Sequence, residues 1–359
     1  MPRPMLALPM GRKDWIRGIR WNFLKSCAPI LDKLGWCIGV EVKGLVLEGW
    51  AEDCFNKIKA LGGRVTWHPP TDAIENMDKM EFVASQANNL IDFGLEAVTI
   101  HLPPLFLTSQ PLIETSLKRY NSSVDAGIML EHIKSQVKIL VKLNKKMGGI
   151  LQIENVSLIS WSKDENHRLT YLALRAGSWL DIAWISKEVG VKTTFDSEHY
   201  NSARNLLMGM MEDDLCRLSR WRVPSSAKVG EDAYKLHSIT GYWLKKGLPP
   251  VAYRQIGLID YIELTQPTLF HLGGGTHDVN EKGEYTSHLP IDLCDPYQIN
   301  TLDLILRKIR ETNAIGAVVE VCGRSEEEWF GYWSPRIEND EVAKMHTYLT
   351  VMNEISRVG

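Results

Sequence analysis

The chain has 359 residues, of which 44% are hydrophobic and 24% are charged, with 27 Gly and 16 Pro. These fractions are ordinary for a globular protein and exclude the disordered, collagen-like and disulfide-scaffold classes. The formal net charge of −3 is too small to indicate a nucleic-acid or membrane partner by itself.

The spacing of the cysteines and the length of the apolar segments indicate the cellular compartment of the protein. The six cysteines are dispersed and form no C-x-x-C pair, which predicts reduced thiols in a cytosolic protein. The sequence has no run of about 18 apolar residues, the length that a membrane-spanning helix needs. We therefore expect a soluble, cytoplasmic protein with no membrane partner.

Short apolar segments alternate along the chain with longer stretches of helical periodicity. The predicted strands cover residues 6–9, 38–42, 64–68, 97–101, 150–154, 191–196, 267–271 and 317–320. The predicted helices cover about residues 14–34, 51–61, 78–93, 124–146, 168–188 and 340–355. Gly35 and Gly62 are helix-ending signals after two of them.

The repeated order of strand and helix predicts the fold class. Nearly continuous apolar strands in eight repeats are typical of a parallel sheet covered by helices, and eight strands close a barrel. The sequence therefore predicts one α/β domain over residues 1–359, a (β/α)8 TIM barrel. An open doubly wound sheet would require a Gly-rich phosphate turn after an early strand, whereas Gly273-Gly274-Gly275 comes late and has another pattern.

The last residues of the predicted strands are the candidate functional residues, because a TIM barrel carries its active site at the carboxyl ends of its strands. They are His68, His101, Glu154, Asp196, His271 and Glu320. His199 follows Asp196 by three residues, and His288 lies in the loop after the seventh strand. Imidazole and carboxylate without thiolate suit Zn, Mn or Fe, and this many ligands exceed the needs of one ion. We expect two or three divalent ions, with Glu154 as a candidate bridge between two of them.

Seven short motifs carry a resemblance to a known family. They are Thr66-Trp67-His68-Pro69, Ile100-His101-Leu102-Pro103, Gln152-Ile153-Glu154-Asn155, Phe195-Asp196-Ser197-Glu198-His199, Phe270-His271-Leu272, Ser287-His288-Leu289-Pro290 and Val318-Val319-Glu320. In this order the series resembles the xylose isomerase-like barrel superfamily, and within it AP endonuclease family 2, the group of endonuclease IV and, more distantly, UV damage endonuclease. The resemblance covers about residues 36–325.

The resemblance implies a role for each ligand. It makes Glu154 the bridging ligand, assigns His68 and His101 to one ion, and leaves the second ion to three residues, Asp196, His271 and Glu320. His199 and His288 would contribute to a third ion. Endonuclease IV completes that third site with an Asp two residues before the last His, where this chain has Thr286. Asp278 of the same loop is a candidate replacement.

A basic insertion separates the sixth and seventh strands, over about residues 212–262, and makes this connection about twice as long as the resemblance implies. Between residues 217 and 254 it carries eight basic and two acidic residues, interleaved with Trp and Tyr. Such a segment could neutralise phosphates and stack on bases. The candidate substrate-binding residues are Arg217, Arg220, Arg222 and Lys228. The alternative is a solvated lid or an oligomer contact.

Two functions fit these residues. The first is a metal-dependent phosphodiesterase that cleaves abasic or UV-damaged DNA by in-line displacement between two or three ions. The second is a metal-dependent isomerase or epimerase of a sugar or phosphorylated small molecule, with Glu154 and Glu320 as the acid–base pair beside one ion. The resemblance favours the first, because the single-metal sugar isomerases of the superfamily use mainly the later ligands, whereas this chain also has His68 and His101.

Overall fold

A computed structural model describes most of the chain. The described residues are 2–46, 49–70, 77–102, 105–106, 135, 137–156, 159–163, 169–174, 179–200, 257–274, 288–291, 293–322 and 339–358.

Eleven strands lie within these ranges. In chain order they are β1 (Met5–Met10), β2 (Cys37–Lys43), β3 (Arg64–His68), β4 (Leu95–Ile100), β5 (Leu105–Phe106), β6 (Leu151–Glu154), β7 (Ile159–Lys163), β8 (Leu169–Leu174), β9 (Lys192–Asp196), β10 (Pro267–Leu272) and β11 (Gly316–Val319).

A closed barrel of eight parallel strands is the centre of the fold. Its order is β1, β2, β3, β4, β6, β9, β10 and β11, so each strand pairs with the next barrel strand along the chain. The barrel closes where β11 pairs with β1, with Leu6 opposite Ala317. The predicted α/β barrel is confirmed, and all eight predicted strand positions belong to it.

Helices cover the outside of this barrel. Those with defined ends are Arg12–Arg17, Ile19–Lys33, Trp50–Ala60, Met77–Ile91, Trp179–Val189, Leu258–Thr265, Pro296–Glu311 and Asp340–Val358, and residues 137–146 are also helical. Their apolar faces pack on outward strand residues such as Leu8 and Val40, forming one buried core with Phe55 and Tyr348. Among the described helices, none has the length and apolar character required to cross a membrane.

Two predicted helices differ from the structure. The predicted helix 14–34 is two helices, because Gly18 takes a left-handed φ of 71° between Arg17 and Ile19. The predicted helix 168–188 is wrong in its first part. Residues 169–174 are strand β8, which pairs antiparallel with β7 and β5, and only Trp179–Val189 is helical. Residues 159–162 alternate between apolar and polar with a period of two, which is typical of a strand, and β7 pairs with β8 along this segment.

The barrel interior is filled in layers, because every second residue of a strand points inward. Four buried polar side chains form one such layer, and each lies two residues before a strand-end ligand. They are Thr66, Thr99, Gln152 and Thr194. Thr194 Oγ1 donates to Gln152 Oε1 at 2.9 Å and lies 3.0 Å from Thr99 Oγ1. This layer ties β4, β6 and β9 together directly beneath the candidate ligands.

The opposite end of the barrel is closed by apolar residues and one arginine. A buried apolar cluster contains Met5, Ala7, Cys37, Ala97, Leu269, Ile315 and Val318. Arg64 Nη1 donates to the carbonyls of Arg3 and Ile315 at 3.1 and 3.0 Å, and its Nε donates to Glu96 at 2.9 Å. The carboxyl ends of the strands are therefore the polar end of the interior.

Gly316 gives a test of barrel closure. Its φ is 142°, and a Cβ at this position would overlap the backbone N and O of Met5 on the neighbouring strand. We expect Gly316→Ala to lower the free energy of unfolding by about 3 kcal/mol or more, since both backbone strain and a backbone clash are introduced.

Gly190→Ala is the matched control, because Gly190 has a φ of 72° and open space around the added Cβ. It should cost about 1 kcal/mol from strain alone. Urea unfolding followed by circular dichroism measures both variants. Equal losses would show that the contact between β11 and β1 is not the reason for the glycine.

Candidate metal centre

Glu154 lies at the centre of the predicted site, with a ligand group on each of its two carboxylate oxygens. Oε2 is 3.1 Å from His68 Nε2 and 3.0 Å from His101 Nε2. Oε1 is 3.1 Å from His271 Nδ1. These four side chains stand at the carboxyl ends of β3, β4, β6 and β10. Glu154 therefore touches two sets of candidate ligands at once.

The second set contains Asp196, His271 and Glu320. His271 Nδ1 is 2.9 Å from Glu320 Oε2 and 4.0 Å from Asp196 Oδ2. Asp196 Oδ1 accepts the backbone N–H groups of Glu198 and His199 at 2.8 and 2.7 Å. Because Oδ1 caps the turn that follows β9, Oδ2 is the oxygen left for a ligand.

His199 and His288 lie beside these two sets. His199 Nδ1 is 3.6 Å from Glu154 Oε1, and the His199 and His288 rings are 5.8 Å apart between centroids. His199 Nδ1 hydrogen-bonds the carbonyl of Asn155 at 2.8 Å, and His288 Nδ1 hydrogen-bonds that of Glu320 at 3.1 Å. Each ring therefore keeps Nε2 for a ligand. Thr286, which stands where the resemblance expects the missing ligand, and Asp278, its candidate replacement, lie outside the described residues.

Three ionisable residues of the pocket, Glu41, Lys43 and Glu198, are not among the predicted site residues. Glu41, fully buried, contacts His271 Nε2 at 3.0 Å, and Lys43 contacts Glu41 at 2.8 Å. Glu198 accepts the backbone N–H of His288 and, at 3.0 Å, that of Leu289. A carboxylate inside the apolar segment 38–42 was the available signal. The strand-end rule does not select Glu41, because Glu41 is not the last residue of the predicted strand 38–42.

Burial and neighbouring charges determine the protonation of the pocket. Burial lowers the pKa of His101 to about 4, although Glu154 opposes this shift. Burial alone would raise the pKa of Glu41, but His271 and Lys43 outweigh it and lower the pKa to about 2. Burial alone would lower the pKa of Lys43, but Glu320 and Glu41 raise it above its usual value. At neutral pH His101 is therefore neutral, the form that binds metal, and Lys43 is a cation.

The donor set fits divalent metal ions. Three groups of donor atoms have all members within 4.8 Å of one another: His68, His101 and Glu154; Glu154, Asp196 and His271; and Glu41, His271 and Glu320. Donors around a tetrahedral zinc ion lie about 3.4 Å apart, which is close to the 3.0 and 3.1 Å between Glu154 and the first two histidines. Buried carboxylates that stay ionised also need nearby positive charge, because an uncompensated buried charge is costly.

The candidate substrate-binding cations belong to the basic insertion. Arg217, Arg220, Arg222 and Lys228 lie outside the described residues, as does the insertion up to residue 256. Their role in substrate binding stays a prediction.

Comparisons with known proteins add little to this geometry. No protein-family model and no curated protein matches the sequence. Twenty-three chains of solved structures match it. One is endonuclease IV from Thermus thermophilus, with 13% identity over 98% of this chain and 100% of that chain and a TM-score of 0.44. A match at this level says nothing about activity, so the barrel is established by its strand pairing and the site by its side-chain contacts.

Glu154 gives the direct test of metal binding. Glu154→Gln keeps the shape of the side chain but removes the charge that faces both ligand sets, so we expect the bound divalent metal to fall by at least one ion per chain. Elemental analysis of protein purified without chelator measures the change. Glu96→Gln is the matched control, since Glu96 pairs with Arg64 at the far end of the barrel. Unchanged metal content in Glu154→Gln would show that the ions bind elsewhere.

Proposed function

We propose that this chain is a divalent-metal-dependent hydrolase of phosphodiester bonds, with abasic or UV-damaged DNA as its substrate class. The observation that carries the proposal is the position of Glu154, whose Oε2 faces His68 and His101 while Oε1 faces His271. One carboxylate between two donor sets suits a pair of ions. Such a pair activates water and stabilises both the attacking and the leaving oxygen of a phosphoryl transfer.

The chain's own residues would prepare this chemistry by orienting His68 and by keeping His101 neutral. His68 is oriented by the contact of its Nδ1 with the Pro69 carbonyl at 2.9 Å, so that Nε2 faces Glu154. His101 is held neutral by burial, which lowers its pKa to about 4. Because these side chains stand on strands above a hydrogen-bonded layer, their donor atoms are positioned before any substrate arrives.

A sugar isomerase or epimerase is the second candidate. The group of Glu154, Asp196 and His271 would suffice for one ion. Glu320 would then be the second acid–base residue, and it is accessible, with a quarter of its side chain exposed. However, Lys43 Nζ lies 3.0 Å from both of its carboxylate oxygens. Lys43 and His271 outweigh burial and lower the pKa of Glu320 well below its usual value, which makes Glu320 a weak base near neutral pH.

Metal stoichiometry and substrate separate the two functions. We expect the purified chain to hold two or three divalent ions and to cut duplex DNA containing an abasic or UV-damaged site when Zn or Mn is supplied. His68→Ala should remove one ion and lower cleavage by about 100-fold or more, since it breaks the first ligand set. An isomerase with one ion would keep its activity in this variant. A wild-type chain with one ion and no cleavage at low salt would refute the hydrolase proposal.

Salt dependence tests the basic insertion. If Arg217, Arg220, Arg222 and Lys228 neutralise phosphates, log Kd for duplex DNA should change with log salt by about 0.9 per phosphate contact. Replacing all four by Ala should make this slope shallower and weaken binding similarly across sequences, because phosphate contacts carry no base readout.

The control replaces four exposed lysines that lie toward the far end of the barrel, Lys33, Lys142, Lys145 and Lys192. It removes the same charge and should leave the slope nearly unchanged. Metal content should be equal in both variants. Equal slopes in the two variants would assign the insertion a role other than phosphate binding.

A further inference from the structure

His271 differs from the other histidines of the pocket in what its two ring nitrogens contact. The ring is fully buried. Nε2 lies 3.0 Å from Glu41 Oε1, on strand β2. Nδ1 lies 3.1 Å from Glu154 Oε1 and 2.9 Å from Glu320 Oε2. A carboxylate therefore stands on each side of the ring.

Three neighbouring histidines have the opposite arrangement. His68, His199 and His288 each place Nδ1 at 2.8 to 3.1 Å from a backbone carbonyl, so that Nδ1 carries the proton and Nε2 is the ligand atom. At His271 the nitrogen next to the other candidate ligands is Nδ1. Its proton must then sit on Nε2, where Glu41 accepts it, if Nδ1 is to bind a cation.

The position of Lys43 bears on whether Glu41 could itself be a metal ligand. Its Nζ lies 2.8 Å from Glu41 Oε2 and 3.0 Å from each carboxylate oxygen of Glu320. The space between these two carboxylates is thus already filled by a cation of the chain. Glu41 Oε1 and Glu320 Oε2 also contact different nitrogens of His271, and these nitrogens point in divergent directions. Glu41, His271 and Glu320 therefore do not form an ion site of their own.

We propose that Glu41 is a positioning residue, which holds His271 with its proton on Nε2 and leaves Nδ1 to a divalent cation. Lys43 contacts Glu41 through Oε2, which leaves Oε1 to His271, and it holds Glu320 beside Nδ1. The pocket accordingly receives its ions on the two sides of Glu154 and none between Glu41 and Glu320. This inference rests on the proposed metal dependence, and it assigns the ligand atom of His271.

The first measurement uses the wild-type chain labelled with ¹⁵N-histidine and loaded with zinc. Two-bond ¹H–¹⁵N correlations distinguish a ring protonated at Nε2 from one protonated at Nδ1. We expect His271, identified by the signal that disappears in His271→Asn, to carry its proton on Nε2, and His68 to carry its proton on Nδ1. A proton on His271 Nδ1 in the zinc-loaded chain would overturn the inference and leave the proposed function standing.

The second measurement compares two neutral replacements by chelator competition for zinc. Glu41→Leu removes the hydrogen-bond acceptor, and we expect zinc affinity to fall by about 10- to 100-fold, the usual effect of losing an outer carboxylate partner. Glu41→Gln removes the same charge but keeps an acceptor oxygen for Nε2–H, so it should recover a large part of this loss and keep the histidine signal of the wild type. Glu96→Leu is the control at the far end of the barrel and should leave zinc affinity unchanged.

The outcomes separate this inference from the proposed function. Equal affinities of Glu41→Leu and Glu41→Gln would overturn the positioning role, as would the loss of one whole zinc ion in both, which would make Glu41 a ligand. A wild-type chain that binds no zinc, manganese or iron would overturn both proposals. If Glu41→Leu does not fold, two measurements still test the inference. They are the position of the His271 proton in the wild-type chain and the number of zinc ions that Glu41→Gln binds.

Discussion

The rest of the pocket depends on keeping the carboxylate of Glu154 charged inside the barrel. Its side chain is 1% exposed, and a buried carboxylate without partners would cost several kcal/mol. His68, His101 and His271 surround its two oxygens, and each stands at the carboxyl end of a different strand. Because strand pairing fixes where these positions fall, the register of the barrel determines the geometry of the site.

The pocket holds more negative than positive charge among its described side chains. Glu41, Glu154, Asp196 and Glu320 face Lys43 as the one permanent cation of this described group. The remaining balance can come from a proton shared with His271 or from divalent ions, and at Nδ1 of His271 these two are alternatives. The same carboxylates outweigh the effect of burial and raise the pKa of His271 well above its usual value, and they also make the pocket suitable for metal.

The barrel and its strand-end residues could be predicted from the sequence, because both follow from the repeated order of apolar strand and helix and from the rule that barrel sites lie at carboxyl ends. Strand β8 could not, since Leu169–Leu174 became a strand only through its antiparallel partners. The orientation of His271 could not be predicted either. It depends on Glu41, which is far away in sequence and is brought to Nε2 only by closure of the barrel.

The closed far end of the barrel has a kinetic consequence. Beneath the ligands lie the hydrogen-bonded Thr and Gln layer and then the buried apolar cluster, with Arg64 bonded to two backbone carbonyls beside it, so the described side chains of this end offer an ion no ligand. In the proposed function, ions, water and substrate would all enter at the carboxyl ends of the strands. A substrate bound at these strand ends would slow the exchange of metal ions at Glu154. The metal occupancy of the site during turnover would then differ from its occupancy in the absence of substrate.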